Sequence, residues 1–416
     1  MSQQDNPEAA ESGRSTLALD RRSRLVREVL ALDTPLLILV AIAFVSSLGV
    51  AVMVPLIPLY ATSLGASPQQ LGLLTSAFAL TNALGQLAGG LLTDRFGARG
   101  FIRTGIAIYT GANVLIATAA NAILLIAYRA LAGLGAGFNL VSTRLYLAQV
   151  ADPRRMAFVN GVLSAASSVG QVAGPAFGGI VTQLTDLRTP FLLVGATSGL
   201  TLLASVLLPR PAAQPALRPV PTAAAEPASW LNRSAVVLLV AQLFLLAGYG
   251  SFITTYAPFA TQILGWSTLD VGILFSVFGL GSIALGPWLS HLADRTGRRR
   301  IAALSCLPVA LFAVALVIAL PWPVLYAVTL VAGGGLTAFT GAWFALLTEA
   351  APGARRGRTF GIVNALSQLG VVAGATMAST IWESAGLGAA LLSAAVPILL
   401  AGASMLVLPR EEIPAV

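Results

Sequence analysis

Arg129 stands about eight residues inside an apolar run, roughly 12 Å deep at a helical rise of about 1.5 Å per residue. A charge at that depth is costly in lipid and usually faces a protein interior or a wet cavity. Two roles stay open for it: handling substrate or proton charge, or bonding backbone carbonyls as a structural residue. A second set of chemically capable residues occurs twice. Gly90, Asp94, Arg95, Gly97 and Arg99 are followed by Ser290, Asp294, Arg295 and Gly297, with Arg298, Arg299 and Arg300 directly after. A carboxylate where a helix meets water can accept hydrogen bonds from a neighbouring helix N-terminus and pair with Arg. Gly97 permits a tight turn, and the arginines suit anionic headgroups. Such a loop reads either as a latch between helices or as a topology signal with a helix stop. In a third set, Gly170, Gly174 and Gly178 recur every four residues and share one helical face, which admits a close neighbour. Pro175 has no N–H to donate and should bend that helix.

Enzyme chemistry is poorly provided for. All 24 basic residues are Arg, which removes the phosphate-loop lysine and any Schiff-base lysine. One Cys, Cys306, and one His, His291, leave no disulfide, no zinc cluster and no metal site. No cofactor motif is present, so the expectation is a protein that is not an enzyme. The formal charge of +8 comes from Arg in short runs between apolar stretches, a pattern of loops against anionic lipid rather than a nucleic-acid surface.

The elements that must hold these residues are membrane helices. The chain is 56% hydrophobic and 10% charged, whereas a soluble domain carries about a quarter charged residues. Apolar runs lie at 34–62, 68–93, 101–119, 121–149, 157–184 and 189–209, and again at 234–263, 269–293, 301–320, 322–350, 359–384 and 387–408. A span needs about 20 apolar residues. The fold class is therefore an all-α membrane protein with twelve transmembrane helices in two six-helix halves, 34–209 and 234–408. The stretch 210–233, with Pro211, Pro215, Pro219, Pro221 and Pro227, reads as a cytoplasmic linker. Residues 1–33 and 409–416 read as cytoplasmic tails, and the first apolar run is too long for a cleaved signal core. Leu25, Val26, Val29 and Leu30 share a face and suit a short helix on the membrane surface; a frayed tail is the competing reading. With the N-terminus inside, every Arg except Arg129, Arg144 and Arg188 is cytoplasmic or at that boundary, as the positive-inside rule requires.

The halves repeat at a constant offset of 200. Pro58, Gly65 and Gly72 match Pro258, Gly265 and Gly272; Asp94, Arg95 and Gly97 match Asp294, Arg295 and Gly297; Gly133 and Gly135 match Gly333 and Gly335; Gly170 and Gly174 match Gly370 and Gly374. Two halves so related suit alternating access, with substrate between them near the midplane.

The paired Asp-Arg-x-Gly loops, Arg129 with Gly133 and Gly135, and Gly170, Gly174, Pro175, Gly178 and Gly179 together resemble motifs A, B and C of the major facilitator superfamily. The last is typical of its twelve-helix drug:proton antiporter branch. The resemblance implies a major facilitator fold, a cytoplasmic latch at Asp94 that breaks during cycling, and a proton or substrate role for Arg129. It also implies packing of the motif C helix against span 8 that seals the outer side. Arg144 would then pair with Asp94 or snorkel to headgroups.

The sequence departs from that pattern in its acids. No Asp or Glu lies near the centre of any span; Glu349 and Glu383 sit near span ends, and His291 near the inner end of span 8. Without a buried acid the cavity offers cations no counter-charge, while Arg129 favours anions, so the expected substrates are neutral or weakly acidic amphiphiles. Candidate cavity residues are Asn82, Gln86, Asn139, Gln242, Tyr249, Tyr256, Trp343 and Gln368, with helix packing or interhelical bonding the alternative for each. The expected function is export of a small amphiphilic solute or drug by proton antiport, from a monomer in a bacterial inner membrane. Metabolite or sugar transport on the same fold, and a non-transporting membrane receptor, are the alternatives.

Overall fold

The computed structural model describes residues 33–150, 155–209, 232–350 and 356–408. The expected surface helix, most of the linker, the C-terminal tail, and the side chains of Asp94 and Arg95 lie outside the described residues. Fourteen helices are described: α1 Thr34–Ser63, α2 Pro68–Phe96, α3 Ala98–Ala117, α4 Ala122–Val150, α5 Met156–Leu184, α6 Thr189–Ser205, α7 Arg233–Gln262, α8 Thr268–Ala284, α9 Gly286–Thr296, α10 Arg298–Val317, α11 Trp322–Ala350, α12 Arg356–Ala385, α13 Leu387–Leu392 and α14 Ala395–Met405. Among the described residues nine helices are long and apolar enough to cross a bilayer, and the pair α8–α9, bent by 43°, makes a tenth. With α5 and the 17-residue α6 these follow the twelve runs read from the sequence. The bend falls at Leu285, directly before Gly286 and Pro287, and Pro287 supplies no backbone donor to bridge it. Side chains such as Leu184, Leu207 and Ile123 are exposed, as a lipid-facing shell requires.

The repeat extends to the caps. At the start of α2, Ser67 Oγ accepts from Gln70 N while Gln70 Oε1 accepts from Ser67 N. At the start of α8, Ser267 Oγ accepts from Asp270 N while Asp270 Oδ2 accepts from Ser267 N. Both are reciprocal capping boxes that satisfy otherwise orphaned donors. The turns before them place Gly65 and Gly265 at φ 77° and 69°, and those after α2 and α9 place Gly97 and Gly297 at φ 84° and 108°. These values lie in the region that side chains with a Cβ avoid.

Within the first half α4 packs on α2 and α3, α5 on α1, and α6 on α3; within the second, α12 packs on α7, α11 on α8 and α10, and α14 on α7 and α10. Glycines set the closest approaches. A Cβ at Gly135 would lie 2.7 Å from the Gly105 carbonyl of α3, and one at Gly335 would lie 2.8 Å from the Ser305 carbonyl of α10. Lipid tails give helices no hydrophobic reason to associate, so small residues that bring backbones together carry the packing. The halves meet through two pseudo-equivalent pairs, α2 with α12 and α5 with α8.

Candidate gating and substrate site

The two halves are bonded toward the end of the bundle that carries the 64–67, 185–188 and 263–267 turns. Gln69 Nε2 donates to Glu383 Oε2 at 2.7 Å, Thr254 Oγ1 to Thr75 Oγ1 at 3.1 Å, and Ala176 N to Ser276 Oγ at 3.1 Å. Glycines close the same level: a Cβ at Gly72 would lie 2.9 Å from the Ala375 carbonyl, and one at Gly179 would lie 2.7 Å from the Thr268 carbonyl. Gly272 meets the Pro175 carbonyl in the pseudo-equivalent contact. The seal is symmetric in its backbone and asymmetric in its bonds. Ser276 accepts the Ala176 N–H beside Pro175, whereas Ser76, its repeat mate, is buried with no hydrogen-bond partner for Oγ among the described residues. Pro175 is the difference in sequence: its ring removes the donor for the Gln171 carbonyl and disturbs the helix at that turn, where the Ala176 N–H reaches across to the other half.

The glycine stripe of α5 corrects one expectation. Gly170, Gly174 and Gly178 face α1, not the eighth span: a Cβ at Gly170 would lie 2.6 Å from the Phe44 carbonyl, and one at Gly174 would lie 2.7 Å from Ala51 Cβ. The seal to α8 uses the adjoining face, with Val172, Pro175, Ala176 and Gly179. One helix thus holds α1 with one stripe and the opposite half with the next.

Arg129 is 6% exposed. Gly133 and Gly137 let α4 lie against α2, and Gly135 lets it lie against α3, so the guanidinium is pressed among Met53, Phe78 and Tyr109. Its Nη1 donates to Met53 Sδ at 3.2 Å, and Cζ lies 3.9 Å above the Phe78 ring. Tyr109 Oη reaches the same sulfur at 3.9 Å. Tyr249, from α7 of the other half, is 41% exposed and within electrostatic reach of the guanidinium. Arg129 Nε has no hydrogen-bond partner among the described residues. The two described ion pairs, Arg298 with Asp294 at 2.7 Å and Arg298 with Glu349, are at the far end of the second half.

The other cavity candidates separate into groups. Gln86 Nε2 donates to Asn82 Oδ1 at 2.7 Å, and Asn364 Nδ2 reaches Gln86 Oε1 at 3.4 Å across the halves. Asn139 Nδ2 donates to Ser46 Oγ at 3.0 Å. Gln242 is buried with Oε1 unbonded, and Gln368 is half-buried. Tyr256 and Trp343 are corrected from cavity to core. Both are 1% exposed, and their polar atoms donate to the Val271 carbonyl at 3.1 Å and the Leu238 carbonyl at 2.8 Å.

At the arginine-rich end, Gly90 lies in open space and Asp294 and Arg295 are exposed. Arg99 and Arg299 do something the sequence reading missed. Arg99 Nη2 donates to the Val206 carbonyl at 3.0 Å, just beyond α6, and Arg299 Nη1 to the Leu408 carbonyl at 2.6 Å, just beyond α14. Each caps the final carbonyls of the last span in its half, where a cation also meets the negative end of the helix dipole. The 200-residue offset between the two arginines was the available signal.

Two six-helix bundles joined by a pseudo-symmetric seam, with Arg129 buried in the first of them, define a polytopic membrane protein. The chain belongs to the Major Facilitator Superfamily, whose profile matches residues 39–258 and 238–416. It is similar to the quinolone resistance protein NorA of Staphylococcus aureus (strain MSSA476), at 26% identity over 240 residues, 57% of this chain. That match spans 61% of the length of NorA. Multidrug resistance protein 2 of Bacillus subtilis (strain 168) is 22% identical over 288 residues, covering 67% of this chain and 72% of the relative. Among solved structures, a bacterial homologue of the human lysosomal transporter Spinster, inward-facing and unoccupied, superimposes with TM-score 0.76 at 18% identity over 89% of this chain and 95% of that one. A D-xylose–proton symporter does so with TM-score 0.73 at 16% identity over 92% and 99%. Membership makes this a multi-pass membrane protein of a transporter family.

Proposed function

We propose that the protein exports a small amphiphilic solute or drug by proton antiport, alternating between two states in which one end of the seam is closed. The carrying observation is the closed seam at the end opposite the arginine-rich turns. With those turns in the cytoplasm, the described state is sealed on the outer side, while a 3.4 Å contact from Asn364 to Gln86 also crosses the halves deeper in the bundle. Asp94, Arg95 and Gly97 then serve as the inner latch of the opposite state. Asp294, Arg295 and Gly297 play a lesser part, because their loop opens on Ser290 where the first opens on Gly90. Gly170, Gly174, Pro175, Gly178 and Gly179 hold the outer seal through α1 and α8. Arg129 provides the charge beneath it, positioned by Gly133 and Gly135, and Asn82, Gln86, Asn139, Gln242, Tyr249 and Gln368 offer polar contacts. The chain works as a monomer in a bacterial inner membrane with both termini cytoplasmic. Export rather than import is supported by the motif C helix and by relatives named for drug resistance.

The test is whole-cell accumulation in an efflux-deficient host. Cells making the protein should hold less of a quinolone than control cells, and a protonophore should erase the difference. Equal accumulation, or uptake raised by the protein, would reject export. A second reading, a uniporter or importer of metabolites, is favoured by one observation: no acid lies near the centre of a span to carry a proton. It requires flux that ignores an imposed pH gradient.

A further inference from the structure

We propose that Arg129 is the docking point for a monoanionic oxyanion, a carboxylate carried on an aromatic amphiphile, and that Met53 is the partner it displaces. The inference rests on the transporter reading and names the substrate class for it. A buried guanidinium is normally paired with a carboxylate or saturated with carbonyls, because an unpaired charge away from water is strongly unfavourable. Arg129 has neither among the described residues. Its hydrogen-bond acceptor is a thioether, one of the weakest in the side-chain repertoire, and its Nε has no partner. Met is also the most readily rearranged apolar side chain, with three rotatable bonds. The contact therefore holds the guanidinium in place with little to lose on exchange.

The geometry selects the ligand. The Phe78 ring lies against the guanidinium, its centroid 3.9 Å from Cζ, so a partner must reach the guanidinium on a side that the ring leaves free. In-plane approach to a guanidinium edge is the bidentate mode that a planar carboxylate matches. Arg129 is the one cation described around this point, so a single negative charge neutralises it, whereas a dianionic phosphate would leave a net charge in a poorly solvated setting. Phe78 and Tyr109 supply aromatic surroundings for the body of the ligand, and Tyr249 of α7, within electrostatic reach, adds a third ring from the other half.

The experiment uses full-length protein in detergent and thermal melting with matched aryl probes, 2-naphthoate and 2-naphthamide, alongside inorganic phosphate. The carboxylate should raise the melting temperature in a saturable manner, and the amide and phosphate should not. Arg129→Gln should weaken carboxylate binding at least about tenfold, as expected for loss of a charge-assisted bond, and Arg129→Lys should retain part of it. If the Gln variant does not fold, Met53→Leu decides: without the competing sulfur, the carboxylate should bind several-fold more tightly. Equal stabilisation by the amide, equal stabilisation by phosphate, no stabilisation by the carboxylate, or unchanged carboxylate binding in Arg129→Gln would each overturn the proposal. So would unchanged or weaker binding in Met53→Leu. Binding is read without a gradient, so it stands or falls separately from the cell accumulation test.

Discussion

Ser276→Ala should open the outer seam. In the closed state Ser276 Oγ accepts the Ala176 N–H at 3.1 Å across the halves, with Ser276 itself 9% exposed. Removing the hydroxyl leaves a part-buried donor without that acceptor, at about 1–3 kcal/mol. The bond exists only where α5 and α8 are together, so the whole cost falls on the closed state. The open-to-closed ratio should then rise roughly 5- to 150-fold. Electron–electron distance measurements read this directly, with spin labels at exposed Asn121 and Ser384 in a Cys306→Ala background. The variant should shift weight to the longer distance. Two controls isolate the cause. Ser76→Ala should change little, because Ser76 Oγ has no hydrogen-bond partner among the described residues in the closed state. In a Pro175→Ala background, where a regular helix offers the Ala176 N–H the Val172 carbonyl, Ser276→Ala should lose most of its effect. An equal shift in both backgrounds, or an equal shift from Ser76→Ala, would refute the assignment.

Gly174→Leu should abolish transport and lower the detergent melting temperature, because a Cβ there already meets Ala51 Cβ at 2.7 Å and the Leu48 carbonyl at 2.8 Å; overpacking of this kind costs about 1–3 kcal/mol or more. Asp94→Asn should impair flux with expression intact, whereas Asp294→Asn should do less, since its partner Arg298 and its own side chain are 30% and 56% exposed and such a pair contributes about 0–1 kcal/mol; equal flux losses would contradict the ranking. Asp186 accepts from Thr189 N and Oγ1 and from Arg188 N, which hold its carboxyl below the usual range. Its stabilisation of the α6 entry should be present above the unfolded pKa and vanish as pH falls through the lowered one, so the melting deficit of Asp186→Ala should close in acid.

The repeat made much of the architecture legible. A gap-free offset of 200 carried the capping boxes at Ser67 and Ser267, the positive-φ glycines and the paired seams of Gly72 and Gly272. The partner of each glycine face was not legible. Gly174 and Pro175 are adjacent in sequence but point about 100° apart on the helix, and nothing in the residue types says that one face meets α1 and the other α8. Tyr256 and Trp343 misled for a related reason. Their polar handles suggested a wet cavity, but each is satisfied by a backbone carbonyl that only the packed structure supplies. Around Arg129 the sequence showed the charge and hid its setting. Met53 and Phe78 look like ordinary lipid-phase residues until α1 packs beside Arg129 and the glycines of α4 bring α2 onto it.

Everted membrane vesicles test the central claim most directly. Respiration acidifies their lumen, which corresponds to the outer side, so a proton-coupled exporter should accumulate a quinolone inside and release it when nigericin collapses the pH gradient. Vesicles bearing Asp94→Asn should accumulate little under the same gradient. Accumulation in wild-type vesicles that is absent, or that persists unchanged after the gradient is gone, would contradict the account.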